Sequence, residues 1–139
     1  MPPSSRSGRY HDLDAILREL RDEYFPTCEP VTIGWGRWSG RAPRRSMRFG
    51  AYFPETRHIR IHPALDQAFV PRAFVAFIVY HELLHHVIPA VQVNGRRYVH
   101  TNAFRQRERA FPHYAEVVGW RQRYLRRLLA STKSRSIQS

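Results

Sequence analysis

Cysteine is almost missing from this chain of 139 residues, because Cys28 is the only one. A single cysteine excludes a disulfide framework and a cysteine-based zinc ribbon, and it fits the reducing environment of the cytoplasm. Any metal site must therefore be built from histidine, aspartate or glutamate.

Long apolar runs are missing as well. No stretch of about eighteen apolar residues occurs, and the first residues, MPPSSRSGR, are polar where a secretory signal is apolar. We therefore expect a cytoplasmic protein that is neither exported nor embedded in a membrane.

Lysine and acidic residues are scarce, so the charge balance is strongly positive. Lys133 is the only lysine, and 23 basic residues against 11 acidic ones give a formal net charge of +12. Such a balance attracts nucleic acid or acidic surfaces, although an arginine-rich genomic composition is an alternative cause. The loop GRWSGRAPRRSMR combines an aromatic ring with arginines, as surfaces that contact phosphates and stack bases do. A solvated loop is the alternative, and the residues that would contact non-specific DNA are Arg37, Trp38, Arg41, Arg44, Arg45 and Arg48.

The composition predicts one folded domain. Hydrophobic residues make up 42% of the chain, which is enough for a core, and the length suits a single domain. Both ends are polar and rich in serine. We therefore predict disordered tails over residues 1–9 and 131–139 around a domain at residues 10–130, and we expect a monomer.

The first half of the chain predicts one helix and three strands. Apolar residues at helical spacing mark a helix from His11 to Phe25, and VTIGWG, from Val31 to Gly36, is typical of a short strand. A hairpin is predicted next, around the turn PETR, with strands at Phe49–Phe53 and His58–His62.

The second strand of that hairpin is the candidate for an exposed sheet edge that pairs with an extended polypeptide substrate, because unpaired edges readily accept another strand. An edge that is merely protected by charge is the alternative. The residues concerned are His58, Ile59, Arg60, Ile61 and His62.

The second half is predicted to be helical. PRAFVAFIVYHELLHHV begins with Pro71 and is apolar nearly all round, which is typical of a buried helix. Two more helices are predicted from Thr101 to about Phe111 and from Pro112 to about Ala130. The whole pattern predicts an α+β fold with an N-terminal helix, a small three-stranded, mostly antiparallel sheet, a buried helix and two C-terminal helices.

The buried helix contains the motif HELLH. His81 and His85, four residues apart, share one helix face and can bind one ion. Glu82 lies beside them, where it can act as general base on a water that the ion activates, and this is why His-Glu-x-x-His suits zinc hydrolysis. His86 points about 100° away from His85, so we expect it to support the site or pack beside it.

A catalytic zinc ion also needs a third protein ligand. The downstream candidates are His100, Glu108, His113 and Glu116. Position favours His100, because it opens the next helix after a loop long enough to turn back across the metal. Glu108 lies about two turns farther along that helix.

The segments HELLH, HTNAF and FPHY, followed by a tryptophan and a leucine-rich helix, resemble the SprT-like and YgjP-like zinc metallopeptidases over roughly Arg48 to Leu129. The strand pair in GAYFPETRHIRIHPAL also resembles that of these zincins. The resemblance implies one zinc ion held by His81, His85 and His100, with Glu82 as general base and Phe104 as a packing anchor for the third-ligand helix.

The chain departs from Spartan-type members because it has no Cys-rich zinc ribbon. Its small size is also similar to that of the minigluzincins, whose third ligand would be a glutamate, and this resemblance favours Glu108. We expect a zinc metalloendopeptidase, with association with DNA as a second expectation from the charge. A latent or non-catalytic zinc-binding or nucleic-acid-binding module is the alternative.

Overall fold

A computed structural model of the chain describes residues 8–37 and 48–138, with side chains described as far as residue 131. The described helices are α1 (Leu13–Tyr24), α2 (Arg72–Val87), α3 (Asn102–Arg109) and α4 (Tyr114–Gln138). The described strands are β1 (Thr32–Trp35), β2 (Gly50–Phe53), β3 (His58–Ile61), β4 (Val91–Val93) and β5 (Arg96–Tyr98). A 3-10 turn, Pro63–Leu65, lies between β3 and α2. This is the predicted α+β composition.

The main sheet has the strand order β1-β3-β2, so β3 is its central strand. The predicted hairpin is confirmed, because β2 pairs antiparallel with β3, Gly50 lying opposite Ile61. The other pair, β1 with β3, is parallel, so the sheet is mixed and the prediction of a mostly antiparallel sheet is wrong. A parallel pair needs a crossover connection between its strands. β1 and β3 can meet this requirement because β2 lies between them in sequence.

The prediction that His58–His62 forms a free edge is also wrong. Both sides of β3 are hydrogen-bonded within the sheet. Its side chains Ile59 and Ile61 are completely buried. The alternation of HIRIH therefore reports a two-faced central strand, with isoleucines toward the core and polar residues outward. Among the described residues β2 pairs only with β3, which makes β2 the edge beside α2.

Helix α1 covers one side of the core. The carboxylate of Asp12 caps its first turn by accepting from the Ala15 N–H at 3.2 Å. Its apolar residues recur at helical spacing and are buried, as the sequence predicts, at Leu13, Ile16, Leu17 and Leu20.

Helix α2 is central, as predicted. It begins after Pro71, and it packs against α1, α3, α4 and the strands β2 and β3. Contact on so many sides explains why the helix is apolar nearly all round. Glu82 is the single buried residue with a charged side chain in the described part of the chain.

A small hairpin, β4–β5, stands where the sequence predicts only a loop. Asn94 and Gly95 both have positive φ, 50° and 78°, which is the conformation of a two-residue type I′ turn. The Asn-Gly pair is a strong signal for such a turn, and it could have revealed the hairpin. The hairpin brings the chain to His100.

The two C-terminal helices are confirmed, with one difference at the end of the chain. Helix α4 continues to Gln138, so residues 131–138 are helical where a disordered tail was predicted. At the other end, the Arg9 N–H donates to Asp66 at 2.6 Å, so the described structure begins before residue 10. Residues 1–7 lie outside the described part. None of the described helices combines the length and apolar character needed to cross a bilayer.

Candidate metal centre

Three imidazoles converge at the C-terminal half of α2. His81 and His85 lie one turn apart on α2, and His100 approaches from the segment before α3. The Nε2 atom of His85 lies 3.3 Å from that of His81 and 3.1 Å from that of His100. One ligand nitrogen from each ring lies within 4.8 Å of the others, so these three histidines can hold a metal ion.

The spacing of these nitrogens fits a tetrahedral ion. Zinc–nitrogen bonds of about 2.0–2.1 Å place two ligand nitrogens of a tetrahedron roughly 3.3–3.4 Å apart. The two measured separations, 3.3 and 3.1 Å, are close to that length. Three facing ring nitrogens cannot all find a hydrogen-bond donor among themselves, whereas one cation can accept a lone pair from each of them.

His100 is positioned by the start of α3. The Thr101 hydroxyl caps this helix by accepting from the Phe104 N–H at 3.2 Å. This cap fixes the backbone at Thr101 and so positions His100, the residue just before it. Phe104 is fully buried, and its ring centroid lies 4.5 to 5.0 Å from those of the three imidazoles. Phe104 thus packs beneath the histidine cluster, as expected of an anchor for this helix.

Glu108 supports the site from behind His81. Its Oε2 lies 2.5 Å from Nδ1 of His81, which makes this nitrogen the donor and leaves Nε2 free as an acceptor or ligand. The Tyr80 hydroxyl donates to the Arg107 carbonyl at 2.7 Å and holds α3 against α2 at this point. The structure therefore groups His100, not Glu108, with the ligand nitrogens of His81 and His85.

The remaining candidate ligands lie elsewhere. His113 Nδ1 is 3.7 Å from Glu116 Oε2 in an exposed pair at the start of α4. His86 bonds to residues outside the cluster: Nδ1 accepts from the Tyr52 hydroxyl at 2.7 Å, and Nε2 donates to the Glu29 carbonyl at 2.8 Å.

Glu82 is buried beside the cluster, with 5% of its surface exposed. It packs against the backbone of β2. A Cβ atom at Gly50 would lie 3.1 Å from Oε2 of Glu82 and 3.0 Å from Cγ2 of Ile78. Glycine at position 50 therefore leaves the space that the carboxylate occupies. Sequence analysis missed this role because a glycine within a strand does not show which side chain it makes room for.

Burial dominates the proton affinities at this site. It raises the pKa of Glu82, an effect that His81 and Arg48 oppose. Burial, with help from the neighbouring His81 and His100, lowers the pKa of His85 to about 4, and burial also lowers the pKa of His100. The hydrogen bond from His81 lowers the pKa of Glu108. At neutral pH these shifts leave His85 and His100 uncharged and Glu108 ionised, which is the state that favours binding of a cation.

The cluster opens into a cavity of about 650 Å³ between α2 and α4. His81, Glu82, His85 and His100 line this cavity together with apolar side chains such as Phe49, Phe77 and Leu125. Arg48 lies at its border, with Nε donating to the Gly50 carbonyl at 3.1 Å. The site is therefore accessible to a ligand larger than water.

Only two of the six predicted nucleic-acid-binding residues, Arg37 and Arg48, lie in the described part of the chain. Trp38, Arg41, Arg44 and Arg45 lie outside the described residues. Arg37 and Arg48 line a second cavity, of about 520 Å³, on the outer face of the sheet together with His58 and Arg60. Arg48 lines both cavities, so the structure links it to the histidine site as well.

Comparisons of the chain with models of protein families, with characterised proteins and with solved structures give no match. The residues of the site therefore carry the functional argument.

Proposed function

We propose that the protein is a zinc-dependent metallopeptidase of the SprT-like kind, in which His81, His85 and His100 bind one zinc ion and Glu82 is the general base. The observation that carries this proposal is the convergence of three Nε2 atoms at 3.1 and 3.3 Å beside a buried carboxylate. Three nitrogen ligands leave a fourth tetrahedral position open, as in catalytic rather than structural zinc sites.

Each residue has a distinct part in this hydrolysis. A bound zinc ion would act as a Lewis acid that lowers the pKa of water and polarises a carbonyl. Glu82 accepts the proton of the attacking water and returns it to the leaving amine. Its burial raises its pKa, which suits a group that must both take up and release a proton. Glu108 holds His81 in the tautomer whose Nε2 carries a lone pair.

An extended polypeptide fits beside β2. This strand pairs on one side only among the described residues, and its first residue, Gly50, lines the cavity at the histidine site. A substrate strand that adds to this edge would pass the general base. The edge strand predicted at His58–His62 is thus replaced by β2 in the proposed substrate site.

The buried glutamate favours an enzyme over a purely metal-binding module. A structural site has no need of a carboxylate beside its ligands, and burying an ionisable group without a role is costly. Glu82 lies in the cavity with the three histidines. Its neighbour on β2 is Gly50, which has no side chain to crowd the carboxylate.

The test of catalysis compares the wild type with Glu82→Gln, which keeps the shape of the side chain but cannot take up a proton. Both proteins are expected to hold about one zinc ion per chain by elemental analysis. Cleavage of an unfolded protein, followed by mass spectrometry, should fall at least about a hundredfold in the variant. Equal cleavage by both proteins would indicate a contaminating protease, and no cleavage by a zinc-loaded wild type would favour the non-catalytic alternative.

The test of the ligand set compares His85→Ala, His100→Ala and Glu108→Ala. Loss of a direct ligand should strip the zinc from the first two variants. Glu108→Ala should keep the ion with roughly 10- to 100-fold lower affinity, because outer-shell partners of metal ligands typically contribute that much. Loss of zinc in Glu108→Ala but not in His100→Ala would instead make Glu108 the third ligand.

A further inference from the structure

The lining of the cavity at the histidine site is of two chemical kinds. Its polar side chains include the three imidazoles, Glu82, Arg48, Arg121 and Gln122, and its apolar side chains include Phe49, Phe77, Ile78, Val118 and Leu125. An apolar hollow that continues from a polar site is the usual form of a pocket that binds part of a ligand.

The spacing on α2 places part of the apolar lining one turn from the histidines. Phe77 and Ile78 precede His81 and Glu82 by four residues, so they lie one turn away on the same face. One turn is about 5.4 Å, close to the distance between a peptide carbonyl and the side chain of the neighbouring residue. A carbonyl held at the histidines would therefore place an adjacent side chain against Phe77 and Ile78.

Helix α4 forms the opposite wall. Val118 and Leu125 are seven residues apart and hence on one face, and both are only partly buried. Other apolar residues of α4, such as Val117 and Leu128, are buried in the core. The apolar face toward the cavity is thus left free for a ligand that is not part of the described chain.

The charges around the cavity restrict the ligand. Glu82 and Glu108, its two lining carboxylates, both lie beside the histidines, and Glu108 is already paired with His81. Arg48 and Arg121 also line the cavity, and the guanidinium of Arg121 lies over the Phe49 ring, 5.4 Å from its centroid. A basic side chain would lose its hydration there without gaining a carboxylate partner.

We propose that the cavity between α2 and α4 is the subsite for a large apolar side chain next to the scissile bond, so that the substrates are polypeptides with residues such as Phe, Leu or Met at that position. This inference rests on the proposed peptidase function. Burial of one such side chain is expected to strengthen binding by about ten- to a hundredfold.

The experiment measures binding to the zinc-loaded protein by calorimetry with three hydroxamates, which carry a methyl, a benzyl or an aminobutyl group. The benzyl compound should bind about ten- to a hundredfold more tightly than the methyl compound. The aminobutyl compound should bind no more tightly than the methyl compound. Cleavage sites mapped on an unfolded protein should show large apolar residues at one fixed position.

The second measurement uses a variant in which a larger side chain fills the cavity. Val118→Phe should remove most of the benzyl advantage, measured as the ratio of the affinities of that variant for the benzyl and methyl compounds. Val93→Phe, the same substitution at an exposed position of β4 outside this cavity, should keep the advantage. Equal binding of the methyl and benzyl compounds to the wild type, or an advantage that survives Val118→Phe, would overturn the subsite.

Failure of the inference differs from failure of the proposed function. Zinc binding, hydroxamate binding and cleavage without any side-chain preference would refute the subsite alone. Absence of zinc, or of cleavage by the zinc-loaded protein, would refute the peptidase and the subsite together.

Discussion

At the scale of single residues, Glu82, the proposed general base, packs against a neighbour that has no side chain, Gly50. Gly50→Ala would place a Cβ atom 3.1 Å from Oε2 of Glu82 and 3.0 Å from Ile78, so the carboxylate must move by a few tenths of an ångström. The three atoms nearest to that Cβ belong to Ile78 and Glu82, not to the histidines. We expect normal zinc content but roughly tenfold slower hydrolysis, because small displacements of a catalytic group are costly.

Gly36→Ala is the matched control for this prediction. A Cβ atom there would lie 3.1 Å from Cδ of Arg60, which is a comparable contact but with a flexible side chain away from the histidines. Activity should change little. Full activity of Gly50→Ala, or a loss of its zinc, would contradict the role assigned to Gly50.

The histidines also predict how the metal-free protein responds to acid. The pKa of His85 is lowered to about 4 in the folded state, against 6.5 for an unperturbed histidine. Between these values the unfolded chain binds more protons, so the folded state loses stability as the pH falls from about 6.5 towards 4. His100, whose pKa is also lowered, acts in the same direction.

The size of this effect can be bounded. One pKa unit corresponds to about 1.4 kcal/mol, so His85 alone lowers the free energy of unfolding by at most about 2 kcal/mol between pH 6.5 and 5. Urea unfolding of the metal-free protein at several pH values measures it. His85→Asn should flatten the dependence, and an equally steep loss in that variant would assign the effect to other groups.

At the scale of elements, the β4–β5 hairpin connects backbone conformation to the position of His100, the proposed third ligand. Gly95 has a φ of 78° and no atom within 4 Å of its missing Cβ, so Gly95→Ala is opposed by backbone strain alone, about 1–2 kcal/mol. Val91, Val93 and Tyr98 are each 45 to 47% exposed, so little packing holds the hairpin together. His100 follows β5 by two residues.

We therefore expect Gly95→Ala to loosen the third ligand and to weaken zinc binding severalfold to tenfold, as measured by competition with a chromogenic chelator. Hydrogen exchange over residues 91–98 should accelerate. Gly119→Ala in α4 also adds a methyl group to open space, but in a helix, where alanine is favoured by about 1 kcal/mol. Equal zinc affinity in both variants would show that the hairpin does not position His100.

How well each element could be predicted depended on whether the interaction that forms it leaves a pattern in the local sequence. Periodicity identified α1, α2 and the β2–β3 hairpin, since one buried face fixes the pattern of apolar residues. The position of β3 within the sheet was missed, because pairing partners distant in sequence leave no mark on the strand itself. His81, Glu82 and His85 followed from helical spacing. The contact of Glu108 with His81 required the packing of α3 on α2, although its four-residue spacing from Phe104 does place both on one face.

At the scale of the whole molecule, the excess of arginine is distributed over more than one surface. Arg121 and Arg127 lie over the rings of Phe49 and Phe69 and therefore contribute to packing. Arg60 also lies over a ring, that of Phe53, but it borders the outer cavity of the sheet together with Arg37, where no carboxylate is among the described lining residues. This outer face, and not the charge as a whole, is where we expect phosphates to bind.

The corresponding prediction concerns the salt dependence of binding to single-stranded DNA, measured by fluorescence anisotropy over a range of salt concentrations. Each phosphate contact contributes about 0.7 to the slope of log affinity against log salt, because contact releases a condensed counterion. Replacing both Arg37 and Arg60 with Gln should therefore lower the slope by roughly 1.4 units. The same change at Arg123 and Arg126, two exposed residues of α4, removes the same charge from +12 and should have a smaller effect. Equal reductions of the slope in both double variants would mean that net charge, and not the outer face of the sheet, governs the association. Absence of binding at low salt would leave genomic composition as the reason for the arginines.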